Sequence, residues 1–464
     1  MNWKSVFAYI GLVLVVLSVL MLFPIVVSII FNEGVFVPFV FGSVISFVIG
    51  IFLSRKFKTE KLTLGSAMVI ASLTFVIIST VGAIPYLDHM EPIDAVFESV
   101  SGFTTTGLTT VNPETLPYSI LFWRSLTQWI GGIGILAIFL LLLSSPGMSS
   151  YYMYRAESGG RRIEASVYST VKKIGIIYAV YTVIGVFLLF FAGMPLFDSV
   201  NHTLTSLSTG GFSTMNGSIG HYNNIAVEIV TILLMLVGST SFFIHSKVFN
   251  KDFKEYFKNG EAYLFWFFIL AFSIFLSVSF MALSEPIRLG VFYAFSALTT
   301  TGYTLGSHAF PQLSKFLIII LMVIGGAAGS TAGGLKLVRV GILGKAMVWV
   351  SKKISYPASA IIPFKFRGKV VNTEEMSIIS LFSFIYIVIL ILSTIILSFL
   401  GYAPIDSFFV SASAEGTVGL TTIDIAAMNP IGKITLMVDM LLGRLEILPF
   451  FVLVFAFFST IKKK

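Results

Sequence analysis

The chain has 464 residues, 56% of them hydrophobic and only 11% charged, with a mean hydropathy of +0.95. No soluble core hides that much apolar sequence, so the chain is read as a polytopic membrane protein. The lack of cysteine excludes disulfides, thiolate nucleophiles and cysteine-based metal sites.

Apolar runs long enough for the ~20 residues of helix that cross a bilayer lie near 4–31, 35–54, 65–86, 117–145 and 172–192, then 222–249, 261–284, 312–349, 374–400 and 430–460. The first is too long for a signal-peptide core and no Ala-x-Ala site follows it, so it is expected to be retained. Between the third and fourth runs, the fifth and sixth, the seventh and eighth, and the ninth and tenth lie segments too short to cross: 94–104, 198–208, 288–299 and 406–416.

Each short segment leads into one signature. Its copies are Thr105-Thr106-Gly107-Leu108-Thr109, Thr209-Gly210-Gly211-Phe212-Ser213, Thr300-Thr301-Gly302-Tyr303-Thr304 and Thr417-Val418-Gly419-Leu420-Thr421. Six residues before the aligned glycine stands a hydroxyl (Ser101, Thr205, Ser296, Ser413), and thirteen before it stands Asp94, Asp198 or Asp406, with Leu289 in the third copy. Taken alone, one Thr-x-Gly reads as an ordinary tight turn between membrane hairpins; four in the same setting read as an internal repeat. Non-helical backbone at membrane depth survives only where protein buries it or it lines a watery cavity, so each segment is expected to be a re-entrant pore loop. The fold class is therefore all-α and polytopic, with four pseudo-symmetric helix–pore loop–helix repeats around one pore. A two-helix extension is expected over 1–60, and repeats over 61–150, 151–258, 259–370 and 371–464.

Charge placement orients the chain. Arg55, Lys56, Lys58, Lys61, Arg155, Arg161, Arg162, Lys172 and Lys173 fall on one side, as do Lys247, Lys251, Lys254 and Lys258. The same side receives Lys345, Lys352, Lys353, Lys365, Arg367, Lys369 and Lys462, Lys463 and Lys464. Opposite lie Glu33, Asp88, Glu91, Asp94, Glu114, Asp198, Glu285 and Asp406, with Arg288, Lys315 and Lys433 as the few bases. The positive-inside rule puts both termini in the cytoplasm and brings the loops in from outside. The formal charge of +8 thus reflects topology and a lipid environment, not a nucleic-acid surface.

A bare alkali cation leaves water only where a ring of oxygens replaces its hydration shell, and extended backbone can supply carbonyls for one. Glycine permits the close approach and strained dihedrals that this needs, while flanking Thr and Ser hydroxyls can pin the strand. A short helix ending at the loop aims its negative end at a cation, and Asp94, Asp198 and Asp406 are expected to cap the opposite ends. An alkali cation bound by backbone carbonyls of Thr105, Thr106, Gly107, Thr209, Gly210, Gly211, Thr300, Thr301, Gly302, Thr417, Val418 and Gly419 is the expected cargo, with no organic cofactor. The histidines (His89, His202, His221, His245, His308) have no i,i+4 pairing and are expected to be structural or interfacial rather than metal ligands.

Thr417-Val418-Gly419-Leu420 resembles the filter of potassium channels, and the four-fold plan resembles the Trk/Ktr/HKT superfamily of potassium transporters. Gln128-Trp129-Ile130-Gly131-Gly132-Ile133-Gly134 resembles that family's first-repeat inner helix, the 325–336 stretch its third-repeat intramembrane loop, and Gly443-Arg444-Leu445-Glu446 its fourth-repeat inner helix. The helix pair before residue 60 is similar to the TrkH/TrkG pore-forming subunits rather than to KtrB relatives. The resemblance implies potassium uptake across a bacterial or archaeal plasma (inner) membrane, one pore per chain, a homodimer, and a cytosolic nucleotide-binding TrkA-like regulatory subunit. Two departures, Leu289 and Gly210, are expected to make the filter less symmetric and less strict against sodium. Sodium or mixed conduction is the alternative; in the family it goes with serine at the first filter glycine, which is Gly107 here.

Two further stretches stand out. Gly325, Gly326, Gly329, Gly333 and Gly334, with Ser330 and Thr331, break the long run 312–349, since each glycine costs a helix about 1 kcal/mol relative to alanine. The spacing does not fit a phosphate-binding P-loop. Close helix packing is one reading; a flexible plug beneath the filter, ending at Lys336, is the favoured one. Arg444 lies near the middle of the last run, where a lone arginine costs ~2.5–3.5 kcal/mol unless it faces water or a partner. Either it pairs with Glu446 or Asp439, or it is a positive charge facing the pore. An alternating-access transporter would predict inverted repeats, and no carboxylate pair, histidine cluster or activated nucleophile suggests an enzyme.

Overall fold

The structure is a computed structural model that describes residues 3–59, 63–144, 167–252, 256, 260–306, 310–357, 362–366 and 369–461. Lys61, Arg155, Arg161, Arg162, Lys254, Lys258, His308, Arg367 and Lys462 to Lys464 lie outside the described residues.

Six described helices are each long and apolar enough to cross a bilayer alone: Trp3–Ile30, Val37–Lys56, Gly65–Tyr86, Ser169–Phe191, Gly260–Ser279 and Thr373–Phe399. The first two form the N-terminal extension. They cross at a pair of glycines: a Cβ on Gly11 would lie 2.7 Å from the Gly50 carbonyl oxygen, and one on Gly50 2.8 Å from that of Gly11. Small residues let helix backbones meet in lipid, and a hydroxyl adds polar glue; here Ser43 donates to the Ser18 carbonyl at 2.7 Å.

The other four are the outer helices of four like-oriented repeats. Each is followed by a short helix: Pro92–Phe103, Leu196–Leu207, Pro286–Leu298 and Pro404–Glu415. Every short helix starts two residues earlier and ends one earlier than its pattern suggests. Proline at the first turn sets three of the starts, where its missing N–H costs nothing. The ends are set by a threonine in left-handed backbone two residues on: Thr105, Thr209, Thr300 and Thr417, with φ of 50–55°.

Inner helices complete the repeats, and only the first, Tyr118–Ser144, is unbroken. The second bends by 105° between Ile225–Ser239 and Phe242–Phe249, and the fourth by 107° between Pro430–Arg444 and Leu448–Ser459. The third stops at Ile324 and resumes at Leu337. Counting from each helix start, Gly131, Gly238, Gly325 and Gly443 are equivalent. Three of them receive the end of their own short helix, a Cβ there lying 2.0 Å from the Phe103, 2.7 Å from the Leu207 and 1.9 Å from the Glu415 carbonyl oxygen. Outward faces are apolar and open, as lipid requires; Phe191 is 80% and Phe399 87% exposed. A two-residue hairpin, Lys365–Phe366 with Lys369–Val370, is the small exception to the all-α class.

Candidate functional site

The four signature loops share one backbone plan. The left-handed threonine is followed by a residue of ordinary φ and then by glycine with φ of 91° (Gly107), 76° (Gly211), 79° (Gly302) or 98° (Gly419). Left-handed backbone is a costly state for a β-branched residue, of order 1–3 kcal/mol, and survives only where surroundings over-determine it. They do so here. The N–H after each threonine donates to the carbonyl of the earlier hydroxyl residue: Thr106 to Ser101 at 2.9 Å, Gly210 to Thr205 at 2.8 Å, Thr301 to Ser296 at 3.0 Å and Val418 to Ser413 at 2.8 Å. In the first and fourth copies the hydroxyl itself accepts from the glycine N–H, Gly107 to Ser101 and Gly419 to Ser413, both at 3.0 Å.

The loops close into one ring. A Cβ on Gly107 would lie 2.2 Å from the Gly210 carbonyl oxygen; on Gly211, 1.8 Å from that of Thr301; on Gly302, 1.8 Å from that of Val418; and on Gly419, 2.4 Å from that of Thr106. Each repeat thus hands its glycine to the carbonyl of the next, and the fourth returns to the first. All twelve sequence-assigned loop residues are brought together, and the middle carbonyls of the four strands form one layer.

The two departures have local explanations. The space above Gly210 belongs to Gln128, whose amide donates to the Gly210 carbonyl at 2.7 Å and accepts from the Phe212 N–H at 3.1 Å. A Cβ on Gly210 would lie 2.3 Å from the Gln128 amide carbon. Leu289, in turn, marks a seam with its charges reversed. The aspartates lie in the first turns of their helices but make no capping bond. They bind across the structure instead: Asp94 takes Lys433 at 2.6 Å, Asp406 takes Lys315 at 2.6 Å, and Asp198 accepts from Thr214 at 2.7 Å. Lys315 and Lys433 are fourth in their inner helices, and so is Glu228, which in the second repeat receives Arg288 at 2.9 Å.

Beneath the ring lies the 325–336 stretch, and it is extensively tied. Gly333 donates its N–H to the Thr300 hydroxyl at 2.8 Å, and its missing Cβ would lie 2.2 Å from the Thr417 hydroxyl. Thr331 donates to the Leu207 and Gly238 carbonyls at 3.0 and 2.9 Å and accepts from Thr209 at 3.2 Å. The break in the second inner helix supplies more partners: Thr331 N–H reaches the Gly238 carbonyl, Ala327 N–H that of Ser239, and Phe242 N–H turns to Gly329. Glu261, second residue of the third outer helix, accepts from the Ala328 N–H at 3.2 Å. Lys336 bonds the Ala332 carbonyl.

Arg444 sits at the bend of the fourth inner helix, buried, in the position that the other repeats fill with Gly132, Ser239 and Gly326. Its guanidinium donates to the carbonyls of Thr331 at 2.7 Å and Gly131 at 2.8 Å. It bonds neither acid suggested by the sequence: Glu446 takes Arg339 at 2.6 Å, and Asp439 accepts from Ser393 at 2.6 Å. Arg444 therefore clasps the intramembrane stretch to the first repeat.

Sequence reasoning missed a further pair. Glu98, wholly buried, receives Arg124 at 3.0 Å together with Thr109 and the Thr110 N–H, each at 2.6 Å. Arg124 also bonds the Ser213 carbonyl at 3.2 Å and stacks 4.0 Å over Phe212, joining the first two loops above the ring. A charge inside each of two apolar segments was the available signal. His202 bonds the Asp198 carbonyl and Ser213, and His245 bonds Tyr181 and the Val237 carbonyl, so both serve structure. Among the described residues no group of three or more His, Asp or Glu could hold a metal ion.

Four re-entrant loops closing one carbonyl ring, carried on four like-oriented repeats, define a pseudo-tetrameric cation-pore protein. The family model for TrkH, a cation transport protein, matches residues 39–459, and the chain belongs to that family. An uncharacterised cation transporter of Methanocaldococcus jannaschii is 37% identical over 97% of this chain and 95% of its own length. The Trk system potassium uptake protein TrkH of Salmonella typhimurium is 30% identical, with 98% of each chain covered. The crystal structure of the potassium transporter TrkH from Vibrio parahaemolyticus superposes with a TM-score of 0.89 at 27% identity, again over 98% of both chains.

Proposed function

We propose that this chain takes up potassium across the plasma membrane through the ring formed by Thr105–Gly107, Thr209–Gly211, Thr300–Gly302 and Thr417–Gly419. The observation that carries this reading is the closure of the ring, in which each glycine seats the carbonyl of the next repeat. The Thr105 and Thr417 hydroxyls, which have no hydrogen-bond partner, are free to meet an ion at the ring's inner edge. Relatives whose names specify potassium support the cargo. The 325–336 stretch, with Arg444 and Lys336, acts as the closed obstruction. Release follows when a cytosolic TrkA-like nucleotide-binding subunit docks on the basic segments around 247–258, 345–369 and 155–173. Glu261, between the first of these segments and Ala328, gives docking a route to the obstruction. The repeats divide near residues 60, 150, 258 and 370, both termini are cytoplasmic, and the chain works as a homodimer.

Uptake of potassium, rubidium and sodium by the purified chain in liposomes tests the reading. Potassium and rubidium should pass well ahead of sodium; equal or faster sodium uptake would replace potassium with the sodium alternative. Nucleotide-dependent flux by the chain alone would remove the partner from the scheme.

A further inference from the structure

The N-terminal extension holds a cavity that neither the ring nor the obstruction uses. Its helices, Trp3–Ile30 and Val37–Lys56, meet backbone to backbone at Gly11 and Gly50. Beside that crossing lies a cavity of about 420 Å³. Ala8, Leu12 and Phe57 make its apolar wall, and Ser54, Arg55, Lys58 and Thr59 its polar one. The second helix stops at Phe57, which takes extended backbone (φ −118°, ψ 141°), so residues 57–59 leave the helix and line the cavity.

The cavity sits where the extension meets the membrane boundary. Arg55 and Lys56 form the last turn of one spanning helix, and Trp3 opens the other. The Trp3 ring lies 6.2 Å from Phe7, and Phe7 lies 5.9 Å from Phe57, a row of rings of the kind that gathers at a bilayer interface. From the cavity toward the bilayer core, Leu12, Val16 and Val19 follow at helical spacing, all exposed. The same site therefore offers charge at its mouth and an open apolar row leading into lipid.

The charges are not all accounted for by the helix. Bases in a last turn answer the helix dipole, which explains Arg55 and Lys56, and the Lys56 ammonium also stands 4.9 Å from the Phe52 ring centroid. Lys58 lies beyond the helix. Among the described residues, neither Lys58 nor Arg55 makes an ion pair or a side-chain hydrogen bond. A phosphate diester matches this pair: guanidinium meets phosphate oxygens in a fork, and ammonium adds a point charge. A zwitterionic head group brings an ammonium of its own, which two uncompensated bases repel. Basic pockets between spanning helices take anionic head groups for this reason.

We infer that this cavity is a binding site for an anionic phospholipid, its phosphate held by Arg55 and Lys58 and one chain laid along Leu12, Val16 and Val19. The bound lipid fills the space beside the Gly11–Gly50 crossing, so it stabilises the folded extension by mass action. The site is independent of what the ring conducts.

The purified full chain, offered phosphatidylglycerol and phosphatidylcholine in equal amounts, tests this by native mass spectrometry of the retained lipid. Phosphatidylglycerol should be preferred. Arg55→Gln with Lys58→Gln should lower the preference by roughly ten- to thirtyfold, the effect of two basic groups beside an anionic surface. Leu12→Trp, at an exposed position, fills the cavity from its apolar side with the charge intact, and should lower it too. Lys352→Gln with Lys353→Gln removes equal charge from another helix end and should leave it unchanged. Phosphatidylglycerol should also raise the melting temperature of the parent chain, and of the Arg55/Lys58 variant much less. A preference that survives the Arg55/Lys58 variant or Leu12→Trp overturns the proposal. Equal loss in the Lys352/Lys353 variant does so as well, since the attraction would then belong to the whole basic face. Inorganic phosphate protecting the chain as well as phosphatidylglycerol does would replace the lipid with a free anion.

Discussion

The Gly107 α-carbon faces the carbonyl oxygen of Gly210 in the next repeat so closely that a Cβ would lie only 2.2 Å from it. No side-chain carbon tolerates that distance to backbone, so any substitution moves the carbonyl layer. Gly107→Ser should lower the potassium-to-sodium permeability ratio by about tenfold, the change that ~1.4 kcal/mol of differential binding produces. Competition between rubidium and sodium uptake in liposomes measures it. An unchanged ratio would remove Gly107 from the ring.

Gln128 and Gly210 make a second, complementary case. Introducing threonine at Gly210, as in the first and third loops, drives a Cβ to 2.3 Å from the Gln128 amide. Gly210→Thr should therefore be destabilising, and Gln128→Ala should partly rescue it by vacating that space. Gln128→Leu alone leaves the Gly210 carbonyl and Phe212 N–H unpaired, at about 1–3 kcal/mol each. Thermal melts of the three variants separate these effects, and a double variant no better than Gly210→Thr would refute the coupling.

Arg444→Gln removes a buried charge without stranding an acid, because Glu446 has Arg339 and Asp439 has Ser393. At an effective dielectric near 20, a unit charge ~4 Å from a passing cation is worth about 4 kcal/mol, and water in the pore reduces this. The variant should conduct several-fold faster with its selectivity order kept, and lose about 1–3 kcal/mol of stability with its two bonds to carbonyls. Slower flux from folded protein would make Arg444 a structural clasp alone.

The repeats were legible because threonine, glycine and the earlier hydroxyl recur at fixed spacing; positive φ and the close approach of the next repeat's carbonyl demand the glycine locally. The partners of the charges were not. Asp94 finds Lys433 across 339 residues, and Glu228 meets Arg288 with reversed sign, so a rule written for aspartate alone reads Leu289 as a loss. Arg444 was visible as an anomaly, yet its partners are backbone carbonyls, which every sequence supplies everywhere. Glu98 and Arg124 fell inside apolar segments and were absorbed into them.

The seams make a prediction about charge order. Lys315 and Asp406 side chains are only 14% and 22% exposed, so removing one partner leaves a largely buried, uncompensated charge. Lys315→Ala should destabilise by about 1–3 kcal/mol. Lys315→Asp with Asp406→Lys, which copies the reversed order of Glu228 and Arg288, should recover a substantial part of that loss. Chemical melts of the single and double variants measure the coupling; additive losses would mean that the seam is held by packing instead.

The bend of the second inner helix and the 325–336 stretch depend on each other, and this sets the sharpest test of the obstruction. In an unbroken helix the Gly238 carbonyl would accept from Phe242 N–H; here it accepts from Thr331, while Phe242 turns to Gly329. Straightening that helix would require releasing the stretch, because both draw on the same backbone groups. Deleting Gly325–Gly334 would leave the freed carbonyls without partners and Arg444 with the Gly131 carbonyl alone, confusing misfolding with opening. Thr331→Val is cleaner: it keeps the volume and removes the hydroxyl bonds to Leu207, Gly238 and Thr209. Closed-state stability should fall by about 1–3 kcal/mol, and basal rubidium flux should rise several-fold without a change in potassium-to-sodium ratio. If flux stays level or falls while the melt shows the same loss, the stretch is helix packing and does not obstruct the pore.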